Sequence, residues 1–237
     1  MNGRGHPSQQ ATLDFLACQS ALGPRRRPSV QARASESNLI VERPAIKQNG
    51  AQKKEIYKGL EDSPAKVERC IIVDEENHVV GEASRQDTVG KRLWGRGVYC
   101  LVQNRRGQLL VTQRTEEKDL YPGHLDVVVS GCVNVGEEYS DTIVRELSEE
   151  LGLKTVDRKA LTPLFLFKWV DEYCRIWGCG YHYVTDCETF DLQVEEVQWC
   201  KWMDLDEVEE LIQTARFTPV GLSVLRRFLK ERHLPQS

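Results

Sequence analysis

The sequence predicts a single α/β (α+β) domain in which helices pack against a mixed sheet. Strand-like apolar runs are interspersed with amphipathic helical patterns, and they lack the regular strand–helix alternation typical of an all-parallel sheet. No repeat at a fixed period interrupts this order. The chain has 237 residues, of which 40% are hydrophobic, and this is enough apolar material for one core.

The expected strands are apolar runs bounded by turn residues. In chain order they cover 67–73, 79–81, 98–102, 108–113, 125–129, 164–169, 175–184 and 197–203. The expected helices carry apolar residues at spacings of three and four. They run from Ser84 to Trp94 and over 139–151, 205–213 and 219–231. Ser84, with Asp87 three residues on, predicts a capped start for the first helix.

Residues 1–35 differ in composition from everything after them. They contain five arginines and a single acidic residue, Asp14, among scattered serines. This composition is typical of an organelle transit peptide, with a plastid as the expected location and a mitochondrion or the cytosol as alternatives. A basic tail that carries no address is the other interpretation. Residues 36–65 show little periodicity and predict a linker or extension, which leaves the domain at 66–233.

The composition argues against several classes of partner and site. The formal charge is −4, and without the first 35 residues 27 basic and 35 acidic residues remain, a charge of −8. This acidity disfavours nucleic-acid polymers and anionic membranes, and no apolar run approaches the roughly 20 residues of a membrane span. The eight cysteines form no C-x-x-C pair, so they are interpreted as small buried side chains without a redox role.

Three glutamates share one side of the helix expected at 139–151. At about 100° per residue, Glu146, Glu149 and Glu150 fall within roughly a third of the helical circumference. Arg145 alone cannot neutralise their mutual repulsion, so the cluster predicts a divalent cation that prefers oxygen ligands, Mg²⁺ first and Mn²⁺ second. On the helix alone, a solvated acidic face is the alternative.

The spacing around these glutamates follows one extended pattern. It reads Gly131, five residues, Glu137, seven residues, Arg145-Glu146-Leu147, one residue, Glu149-Glu150, one residue and Gly152-Leu153. This sequence is similar to the Nudix box, G-x5-E-x7-R-E-U-x-E-E-x-G-U, and agrees with it at every specified position. The chain therefore resembles the Nudix hydrolase superfamily, which implies an α/β/α sandwich with a mixed sheet.

The resemblance also implies roles for individual residues. Glu146, Glu149 and Glu150 would hold Mg²⁺ against the diphosphate of a substrate, and Arg145 would orient these acids. These four are the implied catalytic residues, with the general base left open. The positions Gly131, Glu137 and Gly152 would shape the motif.

A second segment, 113–123, is similar to isopentenyl diphosphate isomerase, a Nudix-fold enzyme. This resemblance implies that Arg114 and Lys118 bind the diphosphate, an ordinary surface pair being the alternative, and that Glu172 contributes to the metal site. The isomerase's own chemistry is not preserved. Its catalytic cysteine and two metal-binding histidines correspond here to Ser130, Cys132 and Gly95.

The expected activity is Mg²⁺-dependent hydrolysis of a diphosphate linkage in a small organic or nucleoside diphosphate compound. The nearest resemblance is to the bacterial-type Nudix hydrolases related to the isomerase. An isomerase-like enzyme and a non-catalytic ligand-binding Nudix domain are the alternatives. The changed isomerase positions argue against the first, and the intact box argues against the second.

Overall fold

A computed structural model describes residues 68–232. The predicted leader, 1–35, and linker, 36–65, lie outside these residues, and both stay predictions. In the described part, nine strands form one sheet. They are β1 (Arg69–Val73), β2 (Val79–Ser84), β3 (Trp94–Gln103), β4 (Leu109–Arg114), β5 (Leu125–Asp126), β6 (Val129–Cys132), β7 (Leu161–Val170), β8 (Arg175–Val184) and β9 (Val197–Met203). The helices are α1 (Arg85–Gly90), α2 (Tyr139–Leu151), α3 (Leu205–Thr214) and α4 (Pro219–Arg232).

Strand β3 organises the sheet. It pairs in parallel with β8 from Trp94↔Arg175 to Gln103↔Val184, and antiparallel with β6. The β1–β2 hairpin, the β4–β9 pair and the β7–β8 hairpin are antiparallel. The combination of parallel and antiparallel pairs confirms the predicted α/β (α+β) class with a mixed sheet.

The sheet has an apolar cluster on each face, because successive side chains of β3 point to opposite sides. Val98, Cys100 and Val102 belong to the cluster that contains the apolar side of α2. Tyr99 and Leu101 belong to the cluster that contains residues of α3 and α4. Helices on both faces produce the α/β/α sandwich that the resemblance implied. No helix in the described part is long and apolar enough to cross a membrane.

Two predicted elements differ from those observed. The first helix ends at Gly90 rather than at Trp94, because Arg92 adopts a φ of +52°, which a right-handed helix cannot accommodate. Trp94 instead begins β3. The strand expected at 125–129 is divided into β5 and β6. At the break, a carboxylate oxygen of Asp126 accepts a hydrogen bond from the Val128 amide at 3.2 Å, and this local bond replaces strand pairing.

Candidate active site

Two glycines allow other residues to approach closely around α2. Gly152 ends the helix in the left-handed conformation, with φ +66°, and a Cβ at this position would collide with the backbone of Asp191. Gly131 lies on β6, and a Cβ there would overlap the carboxylate of Glu146. The missing side chain at Gly131 therefore provides the space that Glu146 occupies against the sheet.

Arg145 connects the predicted acids. Its Nε and Nη2 donate to the two carboxylate oxygens of Glu137, at 2.8 and 3.1 Å. Its Nη1 lies 2.8 Å from an oxygen of Glu146 and 2.9 Å from one of Glu149. Nη2 also donates to the backbone carbonyl of Cys132 at 3.2 Å. One guanidinium thus holds α2, its preceding loop and the end of β6 in a single arrangement.

The carboxylates of α2 differ in their exposure. Glu146 and Glu150 are buried, whereas the Glu149 side chain is about half exposed. Burial raises the pKa of Glu146, and the neighbouring charge of Glu150 raises it further. Burial likewise raises the pKa of Glu150, although the charges of Lys118 and other cations oppose the shift. Adjacent buried carboxylates that repel each other are stabilised by a cation, and their oxygen atoms suit Mg²⁺.

Two of the α2 carboxylates, those of Glu146 and Glu149, are arranged around Arg145. Among residues 68–232, no three Asp, Glu, His or Cys side chains surround a common position where an ion could sit. Arg145 instead contacts oxygen atoms of Glu146 and Glu149. The oxygen donors of these side chains are nevertheless of the type that a divalent cation prefers.

The carboxylates line a cavity of about 700 Å³, a size typical of small-molecule sites. Arg114 and Lys118 line the same cavity, as the sequence predicted. Both Nε and Nη2 of Arg114 donate to the carbonyl of Leu120, at 3.0 and 2.8 Å. Lys118 forms an ion pair with Glu196. Burial, together with the charge of Arg114, lowers the pKa of Lys118 to about 8.

Sequence reasoning missed several charged residues of this cavity, among them Arg85, Asp119 and Asp126. Arg85, the first residue of α1, pairs with Asp119 through two hydrogen bonds of 2.7 and 3.1 Å. Asp126 is 3% exposed and also lines the cavity, and burial raises its pKa to about 6. An acid within the apolar run 125–129 was the available signal for Asp126. Arg85 belongs to no motif, so only the tertiary fold identifies it.

Glu172, the predicted additional metal ligand, lies outside the cavity. It is exposed at the β7–β8 turn, whereas its neighbour Asp171 is buried and lines the cavity. The Asp171 carboxylate accepts hydrogen bonds of 2.8 Å from the Trp169 indole, the Tyr121 hydroxyl and the Cys174 amide. These bonds direct Asp171 inward at the turn, whereas Glu172 is not among the residues that line the cavity.

Known proteins are similar to this chain over the region that supplies most of the cavity residues. Residues 93–228 match the family model described as NUDIX domain. The chain is 38% identical over 174 residues to an uncharacterized Nudix hydrolase of Yersinia pestis, covering 72% of this chain and 91% of that protein. It is 36% identical over 158 residues to the uncharacterized Nudix hydrolase SCO1686 of Streptomyces coelicolor, covering 66% and 85%. A solved structure, DR0079 from Deinococcus radiodurans, is similar with 27% identity and a TM-score of 0.54, covering 67% of this chain and 98% of that one.

Proposed function

Because the chain belongs to the Nudix hydrolase family, we propose that its cavity binds a small organic or nucleoside diphosphate compound and hydrolyses the diphosphate linkage. The observation that carries this proposal is the charge arrangement of one cavity. Buried carboxylates of α2 share it with the cations Arg85, Arg114 and Lys118. A diphosphate needs both kinds of group, since it binds cationic side chains directly and carboxylates through a metal ion.

We assign the metal ligands to α2. Glu146, Glu149 and Glu150 would hold Mg²⁺ or Mn²⁺ through their carboxylate oxygens. When bound, the cation supplies positive charge that offsets the charge of the diphosphate and acts as a Lewis acid at phosphorus. Arg145 positions these acids through its bonds to Glu146 and Glu149.

Other side chains of the cavity would bind the phosphate groups and the organic group of the substrate. Arg114, held by the carbonyl of Leu120, presents a planar guanidinium suited to two phosphate oxygens. Lys118 adds a second, nearly buried cation. Apolar and aromatic residues complete the wall and would contact the organic group while excluding water. They are Val89, Leu93, Tyr99, Trp169, Ile176 and Val220.

The decisive experiment is a substrate panel tested with the full-length chain. The panel contains nucleoside diphosphate compounds and prenyl diphosphates, each assayed with Mg²⁺, with Mn²⁺ and with a chelator. We expect metal-dependent release of phosphate or of a monophosphate from at least one compound. Interconversion of allylic and homoallylic diphosphates without phosphate release would support the isomerase alternative. Saturable binding without turnover would support a ligand-binding domain, and either result would overturn the proposal.

A further inference from the structure

Two cysteines far apart in the sequence meet in the wall of the cavity. Cys70 lies on β1 and Cys132 at the end of β6, and both line the cavity. The segments are joined by backbone pairing, since Cys70 forms an isolated bridge with Asn134 and the Ile71 amide donates to the Val133 carbonyl at 3.1 Å. Cys70 and Cys132 also perturb each other's pKa, so the two thiols are near neighbours. Backbone pairing therefore places the two thiols close together in one wall of the cavity.

An arginine is directed at one of these sulfur atoms. Arg85 Nη1 lies 2.9 Å from Cys132 Sγ. Its other nitrogens are fixed by the bidentate pair with Asp119, so the guanidinium cannot easily turn away. A neutral thiol is a weak hydrogen-bond acceptor, whereas a thiolate is a strong one. The contact thus favours the ionised, nucleophilic form of Cys132.

The two thiols have different surroundings. The neighbouring Cys70 thiol and the charge of Arg85 lower the pKa of Cys132, although burial and the charges of Glu68 and Asp119 act against them. The neighbouring Cys132 and burial raise the pKa of Cys70. Cys132 is partly exposed, whereas Cys70 is 1% exposed. One cysteine therefore has the properties of an attacking thiolate and the other those of a resolving thiol.

We propose that Cys132 and Cys70 form an oxidant-sensitive modification site in which Cys132 reacts with hydrogen peroxide and Cys70 closes a disulfide. In the first step the Cys132 thiolate attacks a peroxide oxygen, the O–O bond breaks, and hydroxide leaves and is protonated to water, which yields a sulfenic acid. In the second step the Cys70 sulfur attacks the Cys132 sulfur, the S–O bond breaks, and the Cys70 proton leaves with the hydroxyl as a second water. Two thiols are oxidised to one disulfide and one peroxide is reduced.

The disulfide would affect the neighbouring carboxylates through the backbone. The carbonyl of Cys132 accepts a hydrogen bond from Arg145, and the adjacent Gly131 abuts Glu146. Cross-linking β1 to β6 also removes the negative sulfur from Arg85, a cation of the same cavity. We expect oxidation to lower hydrolysis and a dithiol reductant to restore it. This effect rests on the proposed function, whereas the thiol chemistry does not.

Mass spectrometry of the full-length protein after limiting hydrogen peroxide tests the site without any assay of activity. In the wild type we expect one cross-linked peptide pair joining Cys70 and Cys132. Cys70→Ser should leave a sulfenic acid at Cys132 that a dimedone probe captures. Cys132→Ser should leave Cys70 reduced, and Cys200→Ser, a matched control on β9, should oxidise as the wild type does.

A second measurement needs no substitution. The rate of alkylation by iodoacetamide near neutral pH is compared for Cys132 and Cys200 within the same wild-type molecules. Cys132 should react at least about threefold faster, since its larger thiolate fraction outweighs its lower intrinsic nucleophilicity. A slower Cys132, a disulfide to another cysteine, or reduced Cys70 and Cys132 beside an oxidised Cys187 or Cys200 would each overturn the proposal.

Discussion

The charge of the Glu150 carboxylate is unfavourable for folding, and the same carboxylate is a proposed metal ligand. Its carboxylate is buried at the end of α2, and burial raises its pKa. The charges of Lys118 and Arg114 compensate for only part of this burial. A buried acid with a perturbed pKa in a cavity is a mark of functional sites, because stability alone favours a neutral side chain there.

Replacing Glu150 with glutamine should separate function from stability. Glu150→Gln removes a proposed metal ligand while keeping the shape of the side chain. We expect kcat/KM to fall about 100-fold or more because a ligand to the catalytic cation is lost. The Tm should not fall, since an unfavourable buried charge is removed. Both are measured with the best substrate of the panel and by calorimetry.

Glu138→Gln is the matched control for this change. Glu138 is exposed at the start of the same helix, outside the cavity, and its side chain makes no capping bond. This variant should keep the wild-type kcat/KM. Full activity in Glu150→Gln would remove Glu150 from the metal site.

Asp126→Asn should stabilise the protein in a pH-dependent manner. Burial raises the pKa of Asp126 from 3.8 to about 6, so its charged form opposes folding. This cost grows as the pH rises from about 4 to about 6, and above that range it reaches about 3 kcal/mol. Because asparagine carries no charge, we expect a gain of up to that size near pH 7 and almost none near pH 4. Urea unfolding at the two pH values measures it.

The exposed Asp206→Asn serves as the comparison for Asp126→Asn. Asp206 lies in the first turn of α3 and should change the free energy of unfolding by about 0.5 kcal/mol or less. An equal gain in Asp126→Asn at both pH values would contradict the assigned cause, because a pH-independent gain does not arise from a titrating carboxylate.

Helix α2 acts as a unit with the strand and loop that precede it. Gly131 gives Glu146 room against β6, and Glu137 in the connecting loop receives both ends of the Arg145 guanidinium. Thr142, one turn into the helix, donates to the same Glu137 carboxylate at 2.8 Å. The element therefore presents its acids in a geometry set by contacts outside the helix.

Gly131→Ala tests this dependence. The added Cβ would overlap the Glu146 carboxylate, so this side chain must move. We expect kcat/KM to fall at least about tenfold, since displacement of a catalytic group by about 1 Å has effects of that order or larger. Gly81→Ala, on β2 with no atom within 4 Å of the new Cβ, should leave kcat/KM unchanged. Wild-type activity in Gly131→Ala would show that Glu146 has space to rearrange.

The sandwich unites distant parts of the chain in one cavity. Arg85 from α1, Lys118 from the loop after β4 and Glu150 from α2 all line it. The parallel pair β3–β8 and the antiparallel pair β3–β6 place Ile176, Gly97 and Cys132 around the same space. Layer packing on both faces of the sheet thus converts scattered residues into one site.

Removal of residues 1–35 should not change the catalytic domain. If this segment is an organelle address, the shortened chain should have the same kcat/KM and the same Tm as the full chain. The segment alone, fused to a fluorescent protein, should enter isolated plastids and be cleaved. Loss of stability on truncation, or failure of the fusion to be imported, would contradict the predicted transit peptide.

Local sequence patterns were sufficient for most of the fold. Most strands appeared close to their predicted positions, and the helix appeared at 139–151, because apolar periodicity and the glycine and proline boundaries act over short distances. The predictions failed where a single interaction decided the outcome. Arg92 ended the first helix early, and the bond between Asp126 and Val128 divided a predicted strand.

The sequence by itself determined the family, the mixed α/β class and the carboxylates of the box, because the box places its residues at fixed spacings along one helix and its loop. Only the tertiary structure brought Arg85, Asp119 and Asp126 into the cavity and left Glu172 outside it. It also brought Cys70 and Cys132 together in one wall of the cavity, whereas the sequence predicted small buried side chains without a redox role. Contacts between residues far apart in the chain depend on strand register and layer packing, and no local spacing encodes them.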